Sequence, residues 1–349
     1  MNIISRIENL PTSVYLALSQ IDTFNGRWIG GGTLSPQILN RLKKSALATS
    51  TGASTRIEGS DLSDEQVEDV MRGLALTKMK ERDIQEVKGY YETLKLVFES
   101  YENIDFTEGS ILQLHSSLLK YSTKDERHRG AYKHLENRVE MLDGEGKLIE
   151  VVFETTPAYL TPKEMQELVQ ETKILLASNE THQLLVISNF VVAFLKIHPF
   201  QDGNGRMSRI LTNLLLLKSG YVYTPYVSQE KIIEDTRVDY YIALRRSQKT
   251  FGGKEESIAE WTSYFFKVLL AQAKAAVELV SNDNISLHLT KIQNEILNYV
   301  RSSETVAPRE IAEATGITPI TIAKSLIKLQ KLKLVEMIGE GRSTRYRRI

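Results

Sequence analysis

The chain has 349 residues, 42% of them hydrophobic and 25% charged, enough for two or three domains around a sizeable core. Its formal net charge is +0, so overall charge gives no argument for a nucleic-acid or anionic-membrane partner. It has no cysteine, which excludes disulfides, thiolate metal sites and cysteine nucleophiles.

The opening segment, MNIISRIENLPTSVYLALSQ, lacks the apolar core of a signal peptide. The most apolar stretch, 184–197, is interrupted by Ser188, Asn189 and Lys196 and is too short to span a bilayer. A cytoplasmic protein without membrane contact is the expectation.

The pattern is mainly helical. Ser35 as N-cap and Pro36 at the first position open one helix. A capping box, Ser63 to Gln66, opens a second, and Thr161-Pro162-Lys163-Glu164 opens a third. Residues 184–197 form a buried fourth, and 206–218 a fifth that stops at Gly220. Between them, 137–153 carries two β-leaning runs around Asp143-Gly144-Glu145-Gly146, a hairpin signal. The small polar run Ser281-Asn282-Asp283-Asn284 marks a domain boundary. Residues 285–349 hold 11 Lys+Arg and 6 Asp+Glu, a formal +5, so the neutral whole leaves −5 on the remainder.

The stretch from His198 to Arg209 reads HPFQDGNGRMSR. A buried helix ends at His198-Pro199, a tight loop follows, and a new helix begins near Arg206. Backbone N–H groups of a glycine-rich loop at a helix N-terminus form an anion site, and Gly203 and Gly205 let phosphate approach the backbone. Arg206 and Arg209 lie three apart, on one helix face, and suit bidentate phosphate binding. Asp202 offers one hard oxygen ligand, sufficient for Mg²⁺ when phosphates supply others. His198 suits a general base at neutral pH. By residue chemistry alone this is a Mg²⁺–polyphosphate site beside a base.

The stretch resembles the signature of the Fic (filamentation induced by cAMP) family, His-x-Phe-x-(Asp/Glu)-Gly-Asn-Gly-Arg-x-x-Arg, at every fixed position, and the resemblance extends over residues 1 to about 280. It implies a Fic-type helical domain with a β-hairpin flap. It also implies a protein adenylyltransferase that moves AMP from ATP to a Ser, Thr or Tyr hydroxyl of a target protein, the chain itself included. In that reading His198 deprotonates the hydroxyl, Phe200 anchors the loop and Asp202 binds Mg²⁺. Gly203, Asn204 and Gly205 hold the α- and β-phosphates, and Arg206 and Arg209 hold the outer ones, with Met207 and Ser208 inside the nucleotide-binding stretch. The hairpin resembles the flap that aligns a target segment by strand pairing, with Glu154, Thr155 and Thr156 near its edge. Tyr240 and Tyr241 resemble aromatics lining an adenine pocket, with helical core residues as the alternative. Gln248 stands near a position where some relatives carry Asn. Other donors, including other nucleotides and CDP-choline, are known in the family; the two arginines favour a nucleoside triphosphate.

Ser54-Thr55-Arg56-Ile57-Glu58-Gly59 matches the family's inhibitory pattern, (Ser/Thr)-x-x-x-Glu-(Gly/Asn). On a helix Ser54 and Glu58 share a face and Gly59 ends it. A Glu58 carboxylate paired with Arg209 would occupy donors that the γ-phosphate needs, leaving ATP in an unproductive pose.

Residues 285–349 read as three helices and a ribbon: Lys291 to Val300, a second opened by Ala307-Pro308, a third from Thr318-Pro319 to about Leu332, and two short strands around Gly339-Glu340-Gly341. That order is a winged helix-turn-helix pattern, with Lys324, Lys328 and Lys331 on the third helix and Arg342, Arg345, Arg347 and Arg348 on the wing. DNA contact and protein docking both fit it.

The expected organisation is 1–105 as an N-terminal helical region with the inhibitory helix, 106–282 as the catalytic core with flap, and 285–349 as the winged-helix domain. A homodimer would offer one way to release the brake. Two other functions compete. One is a hydrolase of the same fold that removes AMP with help from Glu58. The other is a DNA-binding regulator that only senses ATP, against which the complete acid, base and phosphate set argues.

Overall fold

The structure is a computed structural model that describes residues 3–7, 10–31, 34–74, 80–142, 148–178, 180–253, 256–280, 289–332, 334–339, 341 and 344–348. The strands within 138–154 are described by their backbone. In chain order the helices are α1 (Ile3–Ile7), α2 (Thr12–Gly30), α3 (Pro36–Ile57), α4 (Asp64–Met71), α5 (Glu81–Ser100), α6 (Glu108–Leu118), α7 (Thr161–Ser178), α8 (Gln183–Ile197), α9 (Asn204–Lys218), α10 (Gln229–Asp235), α11 (Arg237–Gln248), α12 (Ala259–Val280), α13 (Lys291–Arg301), α14 (Pro308–Thr315) and α15 (Pro319–Lys331). Strands β1 (Arg138–Leu142) and β2 (Leu148–Glu154) pair antiparallel, as do β3 (Val335–Ile338) and β4 (Arg345–Arg348). The chain is mainly α with a small hairpin, as its sequence leads one to expect. Among the described residues no helix is long and apolar enough to cross a membrane.

By contacts the chain divides into two units, Met1–Asn25 with Lys43–Lys274, and Gly26–Leu42 with Ala275–Ile349. In the first, α8 is strongly apolar and buried from Leu184 to Ile197 except at Lys196. It packs against α1, α7, α9 and α11, and α9 in turn packs against α5 and α6. Each large side chain removed from water here, Phe190, Phe194 or Leu214, stabilises the unit by about 1.5–3 kcal/mol.

Local signals behave as read. Ser63 and Gln66 close their capping box, and Ser35 Oγ accepts the Ile38 amide at 3.3 Å. The chain leaves α9 through Gly220 at φ 85°. Two starts differ. Helix α8 begins one residue early because the His182 ring accepts the Leu184 amide at 3.2 Å. Helix α9 begins at Asn204, since Gly203 at φ 83° turns the chain directly into it.

The second unit is built on Ile296, Leu297, Ile311, Ile322, Leu326, Leu329, Val335 and Tyr346. Leu34 joins that core with Ile38, Leu39 and Leu42 packed against it. Gly316 turns α14 toward α15 at φ 68°, and Val306 bridges to Tyr346 beside the β3–β4 hairpin. The hairpin turn at 143–146 and the boundary at 281–284 lie outside the described residues.

Candidate active site

Pro199 disfavours right-handed helix at the preceding residue, and α8 ends at His198 in the left-handed region, φ 53° and ψ 60°. His198 is the one non-glycine residue with positive φ among those described, a conformation costing on the order of 1–3 kcal/mol. The loop that follows is held by its own side chains. The Phe200 amide donates to Asn204 Oδ1 at 2.9 Å, and the Phe200 carbonyl accepts from Asn204 Nδ2 at 2.8 Å and Asn137 Nδ2 at 3.0 Å. The buried Phe200 ring lies flat on His115, centroids 3.6 Å apart at 6°. The Asn204 side chain is thus spent on loop shape.

No side chain caps α9. Its first N–H groups have no intrahelical acceptor, and the helix dipole adds a partial positive charge. A carboxylate stands close to this helix start: a Cβ added at Gly205 would lie 2.1 Å from Glu58 Oε1. Any side chain at that position would collide with the Glu58 carboxylate.

The two arginines serve different partners. Arg209 is buried and donates through Nε to Ser54 Oγ at 2.8 Å, and through Nη2 to the Ser54 carbonyl at 3.0 Å and Glu58 Oε1 at 2.7 Å. Burial alone would lower its pKa; the Glu58 charge outweighs that and raises it. Its Nη1 is buried without an acceptor. Arg206, equally buried, donates to Asp202 Oδ1 at 3.0 Å and pairs with Glu86 at 3.3 Å. Met207 is packed in the core and the Ser208 hydroxyl donates to the Gly205 carbonyl at 2.7 Å, so neither side chain faces the cradle.

Asp202 is half-buried. Burial raises its carboxyl, and the Arg206 charge, the Gly203 amide and Lys124 more than offset this, so it lies below its ordinary value. Oδ1 is taken by Arg206 and Gly203; among the described residues Oδ2 has only Lys124, at 4.0 Å. One free carboxylate oxygen beside a phosphate cradle fits Mg²⁺, which binds one or two carboxylates with substrate phosphates. His198 is half-buried with Nδ1 lacking a partner. Burial, then the charge of Lys133, push its pKa down to about 4, so the ring is neutral and able to accept a proton near pH 7.

Residues 105–216 match the Fic/DOC family. That stretch of the chain is a Fic/DOC family domain. A probable protein adenylyltransferase of Aquifex aeolicus is 25% identical over 191 residues, 54% of this chain and 55% of that one. The protein adenylyltransferase Fic of Drosophila melanogaster is 28% identical over 221 residues, 62% of this chain and 39% of its own. The chain therefore spans about half, or less, of the length of these relatives. A Fic family protein from Desulfovibrio desulfuricans G20 shares the fold, with a TM-score of 0.63 at 24% identity over 98% of this chain and 97% of that one.

Around the Fic loop, α3 ends in a Schellman turn. Ser60 N–H reaches the Thr55 carbonyl and Gly59 N–H the Arg56 carbonyl, both at 3.0 Å, with Gly59 at φ 99°. That turn sets Glu58 at the helix end, and Ser54 and Glu58 meet the same arginine. Arg56, on another face, is clamped to Glu234 at 2.5 Å and Asp64 at 2.9 Å.

The β1–β2 hairpin is present, with register shifts at Val139/Glu140 and Met141/Leu142. Of its expected edge residues, Thr155 and Thr156 are buried. The Thr155 hydroxyl donates to the Asn137 carbonyl at 2.6 Å, and that of Thr156 to Glu164 at 2.6 Å. The side chain of Glu154 lies outside the described residues. Tyr240 and Tyr241 split. Tyr240 is 3% exposed among Trp261 and Tyr264, whereas Tyr241 is 39% exposed and contacts Tyr240 edge-on at 5.0 Å. Burial raises both hydroxyl pKa values, and both lie within electrostatic reach of Glu58 and Arg209. Gln248 is buried, donating to the Val192 carbonyl at 3.4 Å.

On the second unit, Lys324 and Lys328 are exposed on α15 and line a cleft with Ser35, Ile38, Arg41 and Leu332. Arg345 and Arg347 pair with Glu310 and Glu336. Arg342 and the side chains of Lys331 and Arg348 lie outside the described residues.

Sequence reasoning misses His115, Lys133, Asn137, Glu86 and Arg56. His115 is fully buried. Its Nδ1 accepts the Gly130 amide at 3.1 Å, so Nε2 carries the proton and donates to the Asp202 carbonyl at 3.0 Å. Burial pushes its pKa down to about 4. An unfolded histidine titrates near 6.5, so the unfolded chain binds more protons between pH 6.5 and 4. Stability present above pH 6.5 is lost as pH falls through that window, by about 3 kcal/mol for His115. Urea midpoints should fall across it, and His115→Gln should flatten part of the slope. A flat wild-type profile would contradict the burial argument.

Proposed function

We propose that this Fic protein is an adenylyltransferase that moves AMP from ATP to a Ser, Thr or Tyr hydroxyl of a protein and is held off by Glu58. The observation that carries the reading is the convergence of a neutral, half-buried histidine, an uncapped helix N-terminus and a buried arginine that a carboxylate already holds. The triphosphate lies along α9, its inner phosphates on the backbone N–H groups of Asn204, Gly205 and Arg206 and its outer phosphate on Arg209. Asp202 would hold Mg²⁺, which would supply charge neutralisation on the phosphates. His198 takes the proton of the target hydroxyl. That oxygen bonds to the α-phosphorus, the bond to the bridging oxygen breaks, and pyrophosphate leaves. Rate comes from positioning and preorganised charge. The β1–β2 hairpin aligns the target segment by strand pairing. With Glu58 on Arg209, the outer phosphate has no seat and ATP lies unproductively.

Mass spectrometry of a lysate incubated with Glu58→Gly protein and isotope-labelled ATP tests this. AMP esterified to hydroxyl side chains is expected; a different adduct would change the donor, and none would overturn the reading. Release of AMP from pre-modified protein by the wild type would favour the hydrolase. Arg56→Ala should loosen the brake from a distance, giving labelling between wild type and Glu58→Gly. Labelling equal to wild type would show that the clamp on Glu234 does not hold Glu58 in place. For the second unit, the exposed Lys324 and Lys328 support contact with DNA phosphates, and a salt-dependent gel shift on random duplex tests it; no shift at low salt would favour protein docking.

A further inference from the structure

Lys133 is buried outside the motif, and its ammonium has three acceptors for its three protons. Nζ donates to Asn137 Oδ1 at 2.7 Å, Thr155 Oγ1 at 2.8 Å and the Ile197 carbonyl at 3.1 Å. Asn137 immediately precedes β1 and Thr155 immediately follows β2, so the ammonium joins the two feet of the hairpin. Ile197 is the last residue of α8, directly before His198. The main-chain N–H of Lys133 donates to the Pro199 carbonyl at 2.8 Å. One residue therefore brackets the base, holding the peptide carbonyl on each side of it, and ties both to the hairpin. Asn137 adds a third strut through the Phe200 carbonyl at 3.0 Å.

We infer that Lys133 is a positioning residue that sets the target-aligning hairpin against His198. This rests on the transferase reading of the site. A buried ammonium is costly, and an apolar chain of similar length fills the same volume at less cost when only stability is at stake. The bonds made by this ammonium run to the two elements whose relative position decides where a target hydroxyl sits relative to the base. Its charge, among the groups facing His198, also favours the neutral ring, alongside burial. The left-handed backbone at His198 makes the same point, because a strained base position persists only where the surroundings over-determine it.

The test uses the full-length Glu58→Gly protein carrying Lys133→Met, Lys133→Arg or Thr155→Val. Thr155→Val removes a hairpin-side acceptor and leaves the bond to Ile197, so it serves if Lys133→Met folds poorly. ATP affinity by calorimetry, protein labelling, and deuterium uptake over 138–156 are measured together. We expect unchanged ATP affinity, faster uptake in the hairpin alone, and labelling lower by on the order of 10- to 100-fold for Lys133→Met, as for a misplaced reacting group. Lys133→Arg should restore part of the labelling. Unchanged labelling and uptake in both Lys133→Met and Thr155→Val would overturn the inference. So would loss of ATP affinity with faster uptake through α8 and α9, which would make Lys133 a general staple of the fold. If Glu58→Gly alone labels nothing, the transferase reading fails, while hairpin uptake still reports whether the tether exists.

Discussion

Replacing Glu58 by Gly is expected to raise transfer of AMP to protein from a low wild-type level by about tenfold to more than a hundredfold. The contact removed sets the size of the effect. Charge-assisted hydrogen bonds contribute about 1.5–3 kcal/mol, and each 1.36 kcal/mol is tenfold in rate when the bond stabilises the inactive arrangement. Glu58 Oε1 lies 2.7 Å from Arg209 Nη2 and close to Gly205, so in this reading one carboxylate stands at both the arginine and the start of α9. Its removal should strengthen ATP binding as well, because two anions then no longer compete for one cradle. Labelling with radioactive ATP and titration calorimetry read the two effects. Equal labelling by the two forms would sink the brake; higher labelling with unchanged ATP affinity would mean that Glu58 misplaces the nucleotide without displacing it.

His198→Ala, made in the Glu58→Gly protein, is expected to lower transfer by about 10²–10⁴-fold, the range for a positioned general base. Nucleotide binding should persist, since the cradle is built by Asn204, Gly205 and Arg209. The loop is held by Phe200, Asn204, Asn137 and Lys133, and His198 Nδ1 makes no hydrogen bond. Loss of ATP binding together with transfer would show that His198 supports the fold of the loop. Because the ring is held down to about 4 in the free protein, transfer should change little from pH 8 to 6 on account of this group. It should fall only as pH approaches the lowered value.

What the sequence discloses and what it hides follow from distance along the chain. Helix α8 is legible because it is strongly apolar, and α9 because a glycine-rich loop leads into it. The proposed anion cradle is legible because its parts are contiguous from His198 to Arg209. Glu58 is reachable from outside the motif only through a short pattern that resembles the family's. His115, Glu86, Lys133 and Asn137 carry no such mark. Each comes from a segment 60 or more residues from its partner in the loop, and a lone buried polar residue has no periodicity to betray it. Spacing alone places Arg206 and Arg209 together, yet tertiary partners separate them, since α5 brings Glu86 to one and α3 brings Ser54 and Glu58 to the other. Tyr240 and Tyr241, adjacent on a helix, point about 100° apart, so one is core and the other is exposed. Residues 26–42 contribute Leu34 and Ile38 to the second unit although nothing local distinguishes them from the helices around them.

The most direct measurement of the central claim is the fate of phosphorus. Glu58→Gly protein, with lysate as acceptor, is incubated in parallel with ATP labelled at the α- or the γ-phosphorus. Label from the α position should become acid-stable on protein and label from the γ position should leave as pyrophosphate. Retention of γ-label, or of neither, would contradict adenylyl transfer at this site.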